Sequence, residues 1–228
     1  MADIVDKEEN IVQEAVQNIK ISRGLRPELE FEFSKVENLF VYNETGNKIR
    51  FGDIYKKQKT IIVFVRHFLD FIAKEYVEDF AVIPVEYLQE ADVRLVLIGP
   101  APYRFIKSFK QATGYQQTLY CDPELDLYKT LGCPKKGGVG DLKGSKHVKS
   151  GFVMGILRST WRAMREEART YQGDVQQQGC ALVVGPGDVL HYSHIDQSST
   201  DHAPINELLK AAGVQAVSFP KDPRVQDL

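Results

Sequence analysis

Apolar and polar positions along the chain follow two different spacings, and the changes between them outline the predicted elements. Ile61–Phe68 is apolar on both faces, as expected of a central strand covered by helices on both sides. Beyond it, apolar residues recur at helical spacing, which predicts a helix that ends or bends at Pro84. Val93–Ile98 and Thr118–Cys121 are two further strand-like runs. Strands separated by helical patterns predict β-α-β units that share one sheet.

Glycine and proline mark the ends of three further predicted helices. Tyr103–Thr113 has a helical pattern closed by Gly114, and Pro123–Leu131 ends at Gly132. Pro204–Ala212 is the last predicted helix of the chain. Glycine adopts the left-handed conformation that stops a helix, so its position directly after each of the first two patterns supports these boundaries.

Two hairpins flank this central region. Asn43–Asn47 is a turn of the hairpin type, and Pro186-Gly187 suits a type II turn. The paired strands are predicted at Leu39–Tyr42, Lys48–Phe51, Cys180–Val184 and Val189–His194. The element order is a β-hairpin, β-α-β-α-β-α, an insertion, a second hairpin and a helix. It predicts an α/β fold with a mixed sheet and helices on both faces.

A chain of 228 residues suits one domain with extensions. We predict a polar N-terminal arm over residues 1–30, a domain over 31–219 with an insertion at 135–175, and a tail over 220–228. No segment approaches the roughly 18 continuous apolar residues of a transmembrane helix, so we expect no membrane span.

Composition narrows the function classes. The formal net charge of −2 gives no general attraction to nucleic acid, and 43% hydrophobic content is ordinary for a globular protein. The three cysteines, Cys121, Cys133 and Cys180, are scattered and show no zinc or disulfide spacing. A reducing compartment fits them better than a secreted one, so we expect a cytoplasmic protein.

Short segments spread over residues 40–220 carry a specific combination of motifs. They are Val63–Leu69, Lys74–Asp79, Leu88–Ala91, Thr113–Tyr115, Asp122–Glu124, Tyr128-Lys129, Gln172–Asp174, Gln177–Gly179, Gly185–Gly187, Asp201-His202 and Pro204–Asn206. Together they resemble the peroxiredoxin-like 2 family of AhpC/TSA-type antioxidant domain proteins, most closely its C-type branch. The resemblance implies a thioredoxin-like fold and thiol-dependent antioxidant chemistry.

The family's pair of cysteines would fall at Asp70 and Ala73 of this sequence. A carboxylate cannot form a sulfenic acid or a mixed disulfide, so no intact catalytic pair is present. We therefore expect a redox-inactive peroxiredoxin-like protein that acts in binding or regulation, with an unidentified protein partner.

Asp70 lies where the apolar strand pattern passes into the helical pattern. We favour a structural role as the N-cap of that helix, worth about 1 kcal/mol, over a catalytic acid–base role. Arg66 and His67 are predicted at the strand end, where side chains alternate, so at most one can face Asp70. We favour a salt bridge for Arg66 and a packed, hydrogen-bonded ring for His67 over a role in peroxide chemistry.

Cys180 opens the strand that follows the insertion, and in thioredoxin-like folds this strand starts close to the active corner. It is either a displaced redox thiol or a small buried hydrophobe, and we favour the second. The first gives the alternative function, an antioxidant oxidoreductase with a lone cysteine. Cys121 and Cys133 are expected to be structural.

The histidines suggest a metal site through His191, His194 and His202 with Asp196 and Asp201. His191 and His194 are predicted on opposite faces of a strand, which argues against a shared ion. We expect no metal.

The lysine- and glycine-rich segment 135–146 only superficially resembles a phosphate loop, because it lacks the GxxxxGK[ST] spacing. We expect no cofactor.

Phe152–Arg169 is predicted to be an amphipathic helix within the insertion. Its apolar residues share one half of the helix, and the other half carries Arg158, Arg162, Arg165 and Arg169. We favour packing of the apolar half on the domain. A more remote alternative is a peripheral membrane module or a partner-binding helix that uses the arginines.

Overall fold

The computed structural model describes residues 31–135 and 176–219, and within them seven strands form one sheet. The strands are β1 Phe40–Tyr42, β2 Lys48–Arg50, β3 Lys59–Phe64, β4 Val93–Gly99, β5 Thr118–Cys121, β6 Cys180–Val184 and β7 Leu190–Ile195. Their order is β2-β1-β5-β4-β3-β6-β7. β3 pairs in parallel with β4, and β4 with β5, whereas the remaining pairs are antiparallel. The predicted mixed sheet is confirmed.

Helices connect these strands. They are α1 Phe33–Val36, α2 Gly52–Tyr55, α3 Phe71–Ala81, α4 Val85–Glu90, α5 Ile106–Thr113, α6 Asp126–Thr130 and α7 Ile205–Ala212, with a 3₁₀ turn at Tyr103–Phe105. Gly114 and Gly213 follow α5 and α7 with φ of +71° and +82°, the left-handed stop that glycine permits. The predicted α/β architecture is confirmed.

Alternation along the central strands divides the core between the two faces of the sheet. Ile61 and Val63 of β3 lie in a large buried cluster with apolar residues of α3, α5 and α7. Phe64 points to the opposite face, where its ring meets Tyr128 of α6 edge-on at 5.2 Å. The two faces therefore have different helical partners, and each cysteine can be assigned to one of them.

The predicted strand over 61–68 is wrong at its C-terminal end. β3 stops at Phe64, and Val65 adds one last main-chain bond to the Ile98 carbonyl at 2.9 Å. Arg66–Leu69 then leave the sheet so that the chain can turn into α3. Because Val65, Phe68 and Leu69 are apolar like the strand, hydrophobicity alone does not reveal where pairing stops.

The short helices α1, α2 and α4 were not predicted. None of them is longer than 6 residues, which is too short for a helical period to register in the sequence. Both predicted hairpins are confirmed, with β1 pairing with β2 and β6 with β7. Gly187 in the second turn has φ of +73°, and the Gly185–Pro186 peptide bond is cis.

Several predictions lie outside the described residues. They include the N-terminal arm, the lysine-rich segment beyond Lys135, the arginine helix Phe152–Arg169 and the tail 220–228. The domain boundaries stay predictions. Over residues 31–135 and 176–219, no helix combines the length and the apolar character needed to cross a membrane.

Candidate functional site

Asp70 caps the helix at the corner between β3 and α3. Its backbone is extended, with φ of −76° and ψ of 126°, and its carboxylate Oδ2 accepts a hydrogen bond from the Ala73 amide at 3.2 Å. This is N-cap geometry, so the predicted cap is confirmed. Ala73 itself is buried in the first turn of α3. The carboxylate therefore occupies the positive end of the helix, where an anion is stabilised.

Arg66 fixes the same carboxylate from the loop. Its Nη1 donates to Asp70 Oδ2 at 2.9 Å, and its Nε donates to the Gln177 carbonyl at 3.4 Å. The two charged side chains are only 11% and 21% exposed, so water screens the pair less than it would on an open surface. The predicted salt bridge of Arg66 is confirmed. Asp70 is thus held by an amide and a cation together.

His67 lies in the loop after β3. Its Nδ1 accepts a hydrogen bond from the Leu69 amide at 3.1 Å, and its carbonyl accepts from the Asp70 amide at 3.0 Å. The strand position predicted for Arg66 and His67 is wrong, because neither residue belongs to a strand, and it is Arg66 that binds Asp70. The hydrogen-bonded ring predicted for His67 is confirmed.

Cys180 begins β6 directly opposite Phe64, the last residue of β3. The predicted closeness of this strand to the corner is therefore confirmed. Cys180 is fully buried and shares the face of Phe64 and Tyr128. Burial, the neighbouring Cys133 thiol and the nearby Asp196 charge raise the pKa of Cys180 well above its usual value. At neutral pH this side chain is a thiol, which is a weak nucleophile.

The sequence interpretation missed that Cys133 lies beside Cys180. Cys133 follows α6, where its amide donates to the Tyr128 carbonyl at 2.9 Å. The Gln177 side chain donates to the Cys133 carbonyl at 3.2 Å, which ties the two segments together. The two cysteines lie on either side of the insertion, so no short sequence spacing could reveal the contact.

Cys121 ends β5 and belongs to the other face of the sheet, in the cluster formed with α3, α5 and α7. Burial raises the pKa of its thiol well above the usual range, more than a hydrogen bond from the Ala101 backbone lowers it. All three cysteines of the chain are therefore buried free thiols.

Asp122, directly after β5, is a second buried carboxylate at the same end of the sheet. It accepts hydrogen bonds from the Leu127 amide at 2.9 Å and the Asp126 amide at 3.2 Å, at the start of α6. Burial nevertheless raises the pKa of Asp122 to about 6. The sequence interpretation used this residue only as part of a family motif.

His194 and His202 meet at Asp196, an arrangement that the sequence interpretation did not predict. His202 Nδ1 lies 2.8 Å from Asp196 Oδ2, and His194 Nε2 lies 3.5 Å from Asp196 Oδ1. His194 Nε2 also donates to the Asp201 carbonyl at 2.8 Å, so this nitrogen carries the proton. His191 lies apart and contacts the Gly185 carbonyl at 2.7 Å.

This His–Asp cluster contributes to the packing of α3 against the segment between β7 and α7. The His202 ring stacks on Tyr76 of α3 with centroids 4.4 Å apart, and the Tyr76 hydroxyl donates to the Ala203 carbonyl at 2.6 Å. Over the described ranges 31–135 and 176–219, no group of three or more His, Cys, Asp or Glu side chains is arranged to hold a metal ion. The contacts instead join α3 to the segment between β7 and α7.

Comparisons with known proteins agree with this geometry. Residues 84–198 match the family described as AhpC/TSA antioxidant enzyme. Peroxiredoxin-like 2C of Bos taurus is 44% identical over 190 residues, covering 83% of both chains. Peroxiredoxin-like 2C of Homo sapiens is 43% identical over 190 residues, covering 83% of this chain and 84% of the relative.

The fold also matches solved structures at low identity. A peroxidoxin of Mycobacterium tuberculosis superimposes with a TM-score of 0.53 at 12% identity, covering 77% of this chain and 91% of that chain. At that identity the likeness shows a shared thioredoxin-like fold. Together with the family match and the two relatives, it establishes that this chain belongs to the peroxiredoxin-like 2 family of AhpC/TSA-type proteins.

Proposed function

We propose that this chain is a redox-inactive member of its family that acts in the cytoplasm through binding or regulation. The observation that carries the proposal is the fixed Asp70 carboxylate, held by the Ala73 amide and the Arg66 guanidinium at the N-terminus of α3. In a thiol peroxidase the reactive thiolate needs this position, because helix amides and a nearby cation stabilise the charge. Here a carboxylate uses that stabilisation and supplies no sulfur.

Two of the three thiols, Cys121 and Cys180, support the same proposal. Peroxide reduction begins with a thiolate that peroxide can reach. Cys121 and Cys180 are buried, and the pKa of each is raised by that burial. Neither thiol therefore offers an accessible thiolate at neutral pH.

The scaffold around the lost site is nevertheless complete. The sheet, the β3–α3 corner and the cap are formed by the residues now present, and the corner is closed by internal contacts. A protein that keeps the fold without the nucleophile is suited to act through its surface, on an unidentified protein partner. Three free cysteines fit a reducing cytoplasm.

Peroxide turnover tests the proposal. We expect the reduced full chain to consume hydrogen peroxide at the background rate in a thioredoxin-coupled assay. The comparison protein is the variant Asp70→Cys with Ala73→Cys, which restores the family's pair and should consume peroxide continuously. Continuous turnover by the native chain would contradict the proposal.

A second candidate function is that of an antioxidant oxidoreductase whose reactive thiol is Cys180. It is favoured by one observation, the position of Cys180 opposite Phe64 at the end of β3 that leads into the corner. A native chain that turns over peroxide and traps dimedone at Cys180, with both lost in Cys180→Ser, would establish this function. Activity that survives combined serine substitution of all three cysteines would contradict both candidates.

A role at a membrane surface or partner groove through Arg158, Arg162, Arg165 and Arg169 remains a hypothesis from the sequence. These residues lie outside the described ranges. Vesicles of anionic lipid test it directly, since binding should be lost in Arg158→Glu with Arg162→Glu.

A further inference from the structure

Two of the three thiols lie together on one face of the sheet. Cys180 is paired with Phe64 across β3 and β6, so both side chains point to the same face. On that face the Phe64 ring contacts Tyr128, and Cys133 follows the same helix α6. The Cys133 thiol lies near enough to Cys180 there to contribute to the raised pKa of the Cys180 thiol.

The main chain holds this pair in place. The Gln178 amide donates to the Pro134 carbonyl at 3.0 Å, and Lys135 forms an antiparallel bridge with Gln177. Pro134, directly after Cys133, is thus joined to Gln178, two residues before Cys180. Disulfide formation requires Cα atoms about 4.4 to 6.8 Å apart, a separation that only adjoining segments can supply. The contact therefore does not depend on one side-chain rotamer.

The third cysteine is excluded from the pair by the sheet. Cys121 belongs with Leu97 and Leu119 to the cluster on the opposite face. Its side chain would have to pass through the sheet to reach Cys133 or Cys180. Cys121 therefore serves as an internal control, since it is a buried cysteine of the same chain without a thiol partner on its face.

We propose that Cys133 and Cys180 form a dithiol that a small hydroperoxide oxidises to an intramolecular disulfide. The Cys133 sulfur attacks one peroxide oxygen, the O–O bond breaks, and water leaves, which gives a sulfenic acid. The Cys180 sulfur then attacks the Cys133 sulfur, the S–O bond breaks, and a second water leaves. Two thiols are oxidised and one hydrogen peroxide is reduced to two waters, so atoms and electrons balance.

Cys133 reacts first because it is the more accessible of the two. It is 6% exposed and lies in a loop, whereas Cys180 is 1% exposed and lies in a strand. Oxidation is slow because peroxide must reach a thiol that is only 6% exposed, and it is stoichiometric because the disulfide uses both thiols. The inference goes beyond the proposed function, since it concerns a site that does not include Asp70 or Ala73.

Thiol counting after oxidation tests the inference. The reduced full chain is treated with hydrogen peroxide, unfolded, alkylated and weighed intact. We expect two of the three thiols to resist alkylation, a mass lower by two hydrogen atoms before alkylation, and full recovery after dithiothreitol. Digestion without reductant should yield one linked pair of peptides, containing Cys133 and Cys180.

Single substitutions show which cysteines form the disulfide. Cys121→Ser should leave the linkage unchanged, whereas Cys133→Ser and Cys180→Ser should each abolish it. Cys133→Ala repeats the test in case a buried hydroxyl impairs folding, and circular dichroism checks each variant. Linkage through Cys121, linkage between chains, or three alkylatable thiols after treatment that oxidises a small thiol would overturn the inference.

The amount of peroxide consumed distinguishes a failure of this inference from a failure of the proposed function. The disulfide requires one equivalent of peroxide per chain, after which consumption stops. Continuous thioredoxin-dependent consumption of peroxide would contradict the redox-inactive role. It would not contradict the inference that Cys133 and Cys180 form a disulfide. If no Cys133–Cys180 linkage is found, the dithiol inference is overturned and the proposed function is unaffected.

Discussion

At the scale of single residues, Asp70 explains how the corner can lose its chemistry and keep its structure. A thiolate and a carboxylate both place negative charge at the start of α3, and both are stabilised by the same amide and the same guanidinium. The carboxylate is also a good cap, which cysteine is not. An aspartate at this position therefore supplies no sulfur and satisfies the Ala73 amide at the helix N-terminus.

Removing the Asp70 cap should destabilise the protein measurably. We expect Asp70→Ala to lower the free energy of unfolding by about 1 to 2 kcal/mol, the range for a lost N-cap. Asp70→Asn keeps an acceptor for the Ala73 amide and loses only the ion pair with Arg66, so its cost should be about half of that. Urea unfolding followed by circular dichroism measures both.

Asp53→Ala is the matched control for that series. Asp53 is an exposed aspartate paired with Arg50 at 2.7 Å, and an ion pair this exposed contributes little to stability. If Asp70→Ala costs no more than Asp53→Ala, the cap does not stabilise α3 as the geometry indicates.

Asp122 should give the folded protein a characteristic pH dependence. Its pKa is raised from 3.8 to about 6 in the folded state, so only the folded state holds this proton between those values. Its contribution to stability is full below about pH 4 and is lost as the pH rises through 6. The change is on the order of 3 kcal/mol, from a shift of about two pKa units at about 1.4 kcal/mol per unit.

Asp122→Asn isolates that contribution. Urea midpoints of both proteins from pH 4 to pH 7 should show the native chain losing stability relative to the variant as the pH rises. Loss of one acceptor for the Asp126 or Leu127 amide adds an offset that does not depend on pH. Parallel curves for the two proteins would mean that Asp122 titrates normally.

At the scale of elements, the junction of β3 and β6 connects the corner to the buried thiols. Arg66 binds both Asp70 and the Gln177 carbonyl, and the Gln177 side chain binds the Cys133 carbonyl. Gly179, one residue before β6, lets the two strands approach at this point. The corner, the start of β6 and the Cys133 loop thus form one packed unit.

Gly179→Ala should disrupt that unit. A Cβ atom at Gly179 would lie 2.1 Å from the Phe64 carbonyl oxygen and 3.0 Å from Asp196 Oδ2, so the backbone would have to move. We expect a loss of about 3 kcal/mol or more, at the upper end for overpacking. Differential scanning calorimetry should show a clear drop in Tm.

Gly114→Ala provides the comparison for Gly179. Gly114 has φ of +71° and open space where a Cβ would lie, so its substitution costs only the left-handed strain of about 1 to 2 kcal/mol. Equal losses for the two variants would show that Gly179 is not confined by its neighbours.

At the scale of the whole molecule, the sequence predicts the sheet more completely than it predicts the site. β5 and β6 agree with prediction at both ends because apolar runs and turn residues coincide there. The end of β3 was missed, since Val65 and Phe68 stay buried after pairing has stopped. Contacts such as Cys133 with Cys180, and His194 and His202 with Asp196, arise only when distant segments meet, and no local pattern encodes them.

The proposed function depends on one property of the β3–α3 corner, its stabilisation of a negative charge at residue 70. The most direct test is the thiol pKa of Asp70→Cys, measured from the pH dependence of alkylation at residue 70 by mass spectrometry. We predict a value clearly below the usual 8.5, because the Ala73 amide and Arg66 both favour the thiolate. Adding Arg66→Gln should raise that pKa part of the way back. A pKa at or above 8.5 in Asp70→Cys would contradict the account, because the corner would then offer no stabilisation that a carboxylate could have taken over.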